Sequence, residues 1–163
     1  MTSTLFIFDL DDTLVHTTRD MRGDHERISN LKLLRGMRML LLSLKGQTIL
    51  LTAGDHELQQ KKIEHLQLGS LFTEVHIVQN RQEKEAVLRD LVARVQMHPS
   101  RVVVVGDRID HEIRYGNQLG CTTVRMRLKG GKYADLVPES GFDLPIYEVG
   151  DAAELAELVL TLL

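Results

Sequence analysis

One cysteine in 163 residues, Cys121, is too few for an internal disulfide framework and fits a reducing compartment. It opens an apparent strand running to Val124, where a small buried thiol is commoner than a nucleophile. No apolar run is long enough to span a bilayer. The first residues show neither a basic stretch leading into an apolar one nor a myristoylation pattern. The expectation is a cytoplasmic protein without a membrane partner. Neither sign of charge dominates: 20 Lys and Arg stand against 23 Asp and Glu, a net charge of -3 that gives nucleic acid no electrostatic foothold and disfavours it as a partner. Proline is scarce, and repeats, low-complexity tracts and linkers are missing, so one domain over residues 1–163 is expected. A glycine-rich Walker loop, a zinc-type cluster and a Ser-His-Asp arrangement are missing as well.

What the chain does have is alternation. Short apolar runs at Thr4 to Phe8, Thr48 to Leu51, Val75 to Val78, Arg101 to Val105, Thr122 to Arg125 and Pro145 to Val149 read as strands. Between them, Arg27 to Lys45, Glu57 to Leu68 and Glu83 to Gln96 carry apolar residues at helical spacing. Asp151 is placed to cap a last helix whose apolar face is Leu155, Leu158, Val159 and Leu162. The stretch from Lys129 to Asp143, with three glycines and a proline, reads as a surface loop. Strand and helix in turn predict the α/β class, a Rossmann-like three-layer α/β/α sandwich around a mainly parallel sheet.

Chemistry-bearing residues gather at the carboxyl ends of these strands, where open α/β sheets bind ligands. Leu5 to Phe8 runs straight into Asp9-Leu10-Asp11-Asp12-Thr13. The second strand ends in Thr52-Ala53-Gly54, and the third is followed by Lys84 at the beginning of a helix. The fourth runs into Gly106-Asp107-Arg108-Ile109-Asp110-His111-Glu112. Acids crowded on one rim repel each other unless a cation joins them, and Mg²⁺, a hard ion that prefers oxygen, is suited to that place.

These four segments, in this order, resemble the signatures of the haloacid dehalogenase-like (HAD-like) hydrolase superfamily, most of whose members are phosphatases. The likeness runs from residue 4 to about 125 and is closest to small members without a cap domain. It departs from the common pattern at Glu112, where relatives often carry Asp, a change that keeps the charge. The resemblance implies a Mg²⁺-dependent phosphomonoesterase. Asp9 would be the nucleophile and a metal ligand, forming an aspartyl-phosphate. Asp11 would be general acid and base, its backbone carbonyl a further ligand. Thr52 and the amides around Ala53 and Gly54 would cradle phosphate oxygens, Lys84 would neutralise charge, Asp107 would bind the metal, and Glu112 would hold a metal-bound water.

Other residues nearby read as structural. Asp12 suits a turn, Asp110 the N-cap of a helix reaching Leu119, and His16 and Arg19 an exposed loop. The gaps between signatures leave no room for a separate cap. The substrate would be a bulky phosphoprotein or nucleic-acid end, or a small ester covered by the neighbouring subunit of a homo-oligomer. Two alternatives stand beside the enzyme: a non-catalytic HAD-like module that only binds metal or phosphate, and a receiver-like signalling domain. Asp11 has no task in the first, and the acids of the second would be spread over two strands.

Overall fold

The computed structural model describes residues 4–163. Among the described residues there are six strands: β1 (Leu5–Phe8), β2 (Thr48–Ala53), β3 (Glu74–Val78), β4 (Val102–Gly106), β5 (Thr122–Met126) and β6 (Tyr147–Val149). They form one all-parallel sheet in the order β3-β2-β1-β4-β5-β6. The helices are α1 (Thr17–Met21), α2 (Met37–Ser43), α3 (His56–His65), α4 (Arg81–Arg94), α5 (Arg114–Gln118) and α6 (Ala152–Leu162). This is the expected α/β sandwich. Each strand lies within two residues of its expected bounds, because runs such as Val102 to Val105 offer β-branched side chains for both faces of a buried strand.

β1 is buried on both sides, and its alternation divides the core. Phe6 and Phe8 point to the face covered by Leu40 and Leu41 of α2, Ile63 of α3, and Leu155 and Val159 of α6. Leu5 and Ile7 point to the other, against Leu88 and Leu91 of α4 and Tyr115 of α5. Cys121 lies buried in that second layer, just ahead of β5, and burial pushes its thiol up to about 11. Asp151 caps α6 as expected, its Oδ1 accepting from the amides of Ala153 and Glu154, both at 2.9 Å. Among the described residues no helix is long and apolar enough to cross a membrane.

The continuous helix expected over Arg27 to Lys45 is not there. His25–Asn30 forms a short 3₁₀ segment, Leu33 pairs with Val15 in an antiparallel bridge, and α2 starts only at Met37. The Leu34 amide donates to the Leu14 carbonyl at 2.9 Å, which draws this stretch into extended form. Gly36, at φ 87, then turns the chain into α2, a conformation that favours glycine. The apolar spacing that suggested a helix instead lets Leu31 and Leu33 reach the core from an extended segment.

Chain order and strand order part company beside β1. β2 and β3 lie to one side of it, and after α4 the chain crosses back to lay β4 on the other. The loops leaving β1 and β4 therefore diverge and open a crevice between them.

Candidate active site

The Asp9 amide still donates to the Val105 carbonyl at 2.9 Å, so sheet pairing carries Asp9 to the rim beside the end of β4. The next turn is anchored by fully buried Leu10 and Leu14. Asp12 closes it at φ 50, its carboxylate accepting from the amides of Thr18 at 3.0 Å and Lys132 at 3.2 Å, a structural part as expected.

Asp9, Asp107 and Glu112 bring carboxylate oxygens within 4.8 Å of one another, and all three side chains are buried. Lys84, in the first turns of α4, donates to Asp9 Oδ1 at 2.7 Å and also to Glu112 Oε1. The other oxygen of Glu112 is buried without a partner. One ammonium cannot offset three carboxylates. Burial, opposed by Lys84 and reinforced by Glu112, pushes Asp9 up to about 7. Burial with the charges of Glu112 and Asp9 pushes Asp107 up to about 9. Burial works against the charged forms of Lys84 and Glu112 too, but Asp9 together with Glu112 holds Lys84 above its usual range, and Lys84 holds Glu112 below its own. An all-oxygen set with surplus negative charge could hold a hard divalent cation.

Glu112 reaches this cluster from a wide turn, Ile109–Ile113, whose residues are wound more loosely than in an α-helix. Its side chain lies against Gly106, where an added Cβ would come within 2.7 Å of Glu112 Cγ. The same turn changes the part expected of Asp110. That residue does not cap a helix: Arg108 Nε and Nη2 donate to its two oxygens at 3.0 and 2.8 Å. The two amides that close the turn, those of His111 and Ile113, are spent on the Arg108 carbonyl, and a charged fork two residues away is the stronger partner.

Asp11 faces the other way. Its Oδ1 accepts from Lys62 Nζ at 2.8 Å and the Thr17 hydroxyl at 2.6 Å, and its Oδ2 from Gln59 Nε2 at 2.9 Å. Burial alone would raise its pKa, but these three donors, Lys62 foremost, hold it below the usual carboxylate range. Thr52 is buried at the end of β2, its hydroxyl oxygen accepting from the same Gln59 nitrogen at 2.7 Å. Gly54 departs from the sequence expectation, since its amide donates to the Val78 carbonyl at 2.9 Å and is not free for a phosphate. His16 also departs from it. The ring is buried, with Nε2 on the Lys129 carbonyl at 2.9 Å and Nδ1 accepting from the Arg19 amide, whereas Arg19 does lie exposed, paired with Asp20.

Lys62 and Gln59 escaped sequence reasoning, although both are buried side chains of α3. The signal was there in their spacing: Gln59, Lys62, Ile63 and Leu66 fall on one stripe, so two polar residues occupy the inward face. Around the acids opens a cleft of about 530 Å³, walled by α1 and the turn after it on one side and by Lys132 and Tyr133 on the other.

Residues 19–126 match the family model for haloacid dehalogenase-like hydrolases. The chain belongs to that family. The matched span takes in Thr52, Lys84, Asp107 and Glu112, while Asp9 and Asp11 precede it. Over 111 residues this HAD-like hydrolase is 32% identical to the glyceraldehyde 3-phosphate phosphatase of Methanopyrus kandleri. The aligned part is 66% of this chain and 47% of that protein, so the chain spans about half the length of the curated relative it matches. Among solved structures, the HAD-hydrolase YfnB from Bacillus subtilis bound to magnesium superposes with a TM-score of 0.71 at 15% identity, covering 98% of this chain and 99% of the other. The L-2-haloacid dehalogenase from Xanthobacter autotrophicus gives 0.69 at 14%, again over 98% and 99%. Identities this low make both a likeness of fold.

Proposed function

We propose that this HAD-like hydrolase is a Mg²⁺-dependent phosphomonoesterase that works through an aspartyl-phosphate on Asp9. The observation that carries the reading is the division of labour between two carboxylates two residues apart. Asp9 sits in the acid cluster against Lys84, and Asp11 is turned out of it onto α3. Hydrolysis by way of a covalent intermediate needs one carboxylate to attack and a second, separately held, to move protons.

The donor set fits a hard cation on two counts, its surplus of negative charge and the buried, unpartnered oxygen of Glu112. Asp9, Asp107 and the carbonyl of Asp11 would hold Mg²⁺, with Glu112 acting through water. Bound there, the ion supplies charge neutralisation at the phosphoryl oxygens. Lys84 occupies Asp9 Oδ1, which leaves Oδ2 to attack phosphorus. Asp11, ionised in the free protein, would take up a proton as the anionic substrate enters the cleft; as the Asp9–phosphorus bond forms, the ester bond breaks and Asp11 gives that proton to the leaving oxygen. Water then attacks phosphorus, Asp11 takes its proton, and inorganic phosphate departs from a restored Asp9. Thr52 and Lys84 meet the charge on the phosphoryl group.

Asp11 also favours phosphate esters over carbon–halogen bonds, since displacement of halide needs no such acid. The likeness to a phosphatase supports the same side. A cleft of about 530 Å³ falls in the range of sites for small molecules, which favours a small ester over a macromolecular one. Hydrolysis of 4-nitrophenyl phosphate tests the reading. Activity is expected with Mg²⁺, to vanish on chelation, and to vanish in Asp9→Asn, whose amide keeps the shape but cannot attack as an anion. Turnover retained by a folded Asp9→Asn protein would overturn the assignment.

A further inference from the structure

Gln59 is fully buried on α3, and its one amide nitrogen serves two residues of the proposed machinery. Nε2 lies 2.9 Å from Asp11 Oδ2 and 2.7 Å from Thr52 Oγ1, with the Ala53 carbonyl farther off at 3.4 Å. Because an ionised carboxylate can only accept, the nitrogen and not the oxygen of this amide must face Asp11. Its two hydrogens are then both assigned, one to Asp11 and one to Thr52.

Two consequences follow from counting donors and acceptors. The Thr52 hydroxyl oxygen accepts from Gln59, so its own hydrogen is left for another acceptor, and the next residue, Ala53, lines the cleft where a phosphoryl oxygen would sit. A carboxylate offers about four acceptor positions. On Asp11, Lys62 and Thr17 fill those of Oδ1 and Gln59 fills one on Oδ2, leaving the remaining position on Oδ2 for the travelling proton. We infer that Gln59 is a positioning residue that aims the Thr52 hydrogen at the phosphoryl group and fixes Asp11 Oδ2 as the oxygen that handles the leaving-group proton. This rests on the phosphatase reading. It adds a residue that lies outside the acid cluster and meets Asp11 only at its carboxylate, yet sets the hydrogen-bond direction at two residues of the machinery at once.

Two readouts separate this role from a tie that merely holds α3 to the sheet, because neither depends on how much of the protein is folded. The first is the ratio of kcat/KM for 4-nitrophenyl phosphate to that for phenyl phosphate, whose poorer leaving group needs the acid more. The second is the inhibition constant of inorganic phosphate at fixed Mg²⁺. In Gln59→Met, which keeps the length but removes both hydrogens, the ratio is expected to rise about 10-fold or more, within the range of about 10- to 100-fold for loss of a supporting hydrogen bond. Phosphate should bind about 10-fold more weakly. Gln59→Glu should weaken phosphate further, since the introduced carboxylate would draw the Thr52 hydrogen to itself. The exposed neighbour serves as control, and Gln60→Ala should leave both readouts unchanged. An active wild type with an unchanged ratio and inhibition constant in Gln59→Met overturns the role of Gln59. A wild type without turnover that Mg²⁺ supports and Asp9→Asn removes overturns the phosphatase reading, and this inference with it.

Discussion

Glu112 and Asp110 are two residues apart on one turn, yet one is buried in the acid cluster and the other is gripped by a guanidinium outside it. That difference ranks their effects. Asp107→Asn removes a carboxylate that leaves β4 beside Asp9 and should raise the Mg²⁺ requirement most. Glu112→Gln should raise it about 10- to 100-fold, the scale for a group that supports a ligand from behind. Asp110→Asn only loosens Arg108 and should do least. Titrating activity against Mg²⁺ in the three variants checks the order, and a larger shift for Asp110→Asn than for Glu112→Gln would show that the second acid is misassigned. Sequence could nominate Asp9, Lys84, Asp107 and Glu112 together because each follows a strand end, and strand ends in a parallel sheet share one rim. The choice of Glu112 over Asp110 rested on the family resemblance and not on periodicity, since which of them faces the cluster depends on a loosely wound turn that leaves no periodic trace. Gln59 and Lys62 stayed hidden for another reason: a helical stripe is recognised by its apolar members, and polar ones on the same face are read as noise.

Elements show the same contrast between signals that leave one reading and signals that leave two. A run of four valines between Arg101 and Gly106 suits a strand buried on both faces and little else, whereas leucines three apart serve either a helix or an extended segment with a kink, as residues 31–36 do. The loop before β6 is held by a device no pattern announces. Asp143, buried at the end of the 3₁₀ turn Gly141–Asp143, accepts from Arg114 Nε at 2.6 Å and Nη2 at 2.9 Å, and from the amides of Glu139 and Ser140 at 2.8 and 3.1 Å. The Arg114 contact, against a smaller opposing effect of burial, holds the Asp143 carboxyl far below the usual range. Asp143→Ala leaves the amides of Glu139 and Ser140 without their partner, while Arg114, partly exposed, keeps Glu139 within 3.7 Å, so the loss should be about 1.5 to 3 kcal/mol, the scale for hydrogen bonds to a charged group. Urea unfolding measures this. The Mg²⁺ requirement should not move, because the clip lies outside the acid cluster.

For the molecule as a whole, the acid cluster sets how stability depends on pH. Five acids and five Lys or Arg side chains line the cleft, so its formal charges cancel, yet its buried groups do not balance, with Asp9, Asp12, Asp107 and Glu112 against Lys62 and Lys84. In the unfolded chain Asp9 and Asp107 lose their protons near pH 4. In the folded, metal-free chain Asp9 holds its proton to about 7 and Asp107 to about 9. Folding therefore takes up protons above pH 4. The stability that these two groups contribute is complete below that pH and is lost as the pH rises through about 7 and then about 9. Asp11, Glu112 and Asp143, all shifted downward, act in the opposite sense, but only as the pH falls below about 4. His111, which burial holds down at about 4, acts against the pair as the pH rises toward about 6.5, but one imidazole offsets only one of the two aspartates, so between about pH 5 and pH 9 the pair still sets the sign of the slope. A cation that binds the ionised carboxylates displaces their protons and should restore what is lost. The melting temperature with a chelator should thus fall steadily across this range. With excess Mg²⁺ it should stay nearly level, so the gap between the two curves widens as the pH rises. Asp107→Asn, which removes the group with the larger shift, should flatten the chelator curve. Parallel curves at every pH would mean that Mg²⁺ does not meet this cluster.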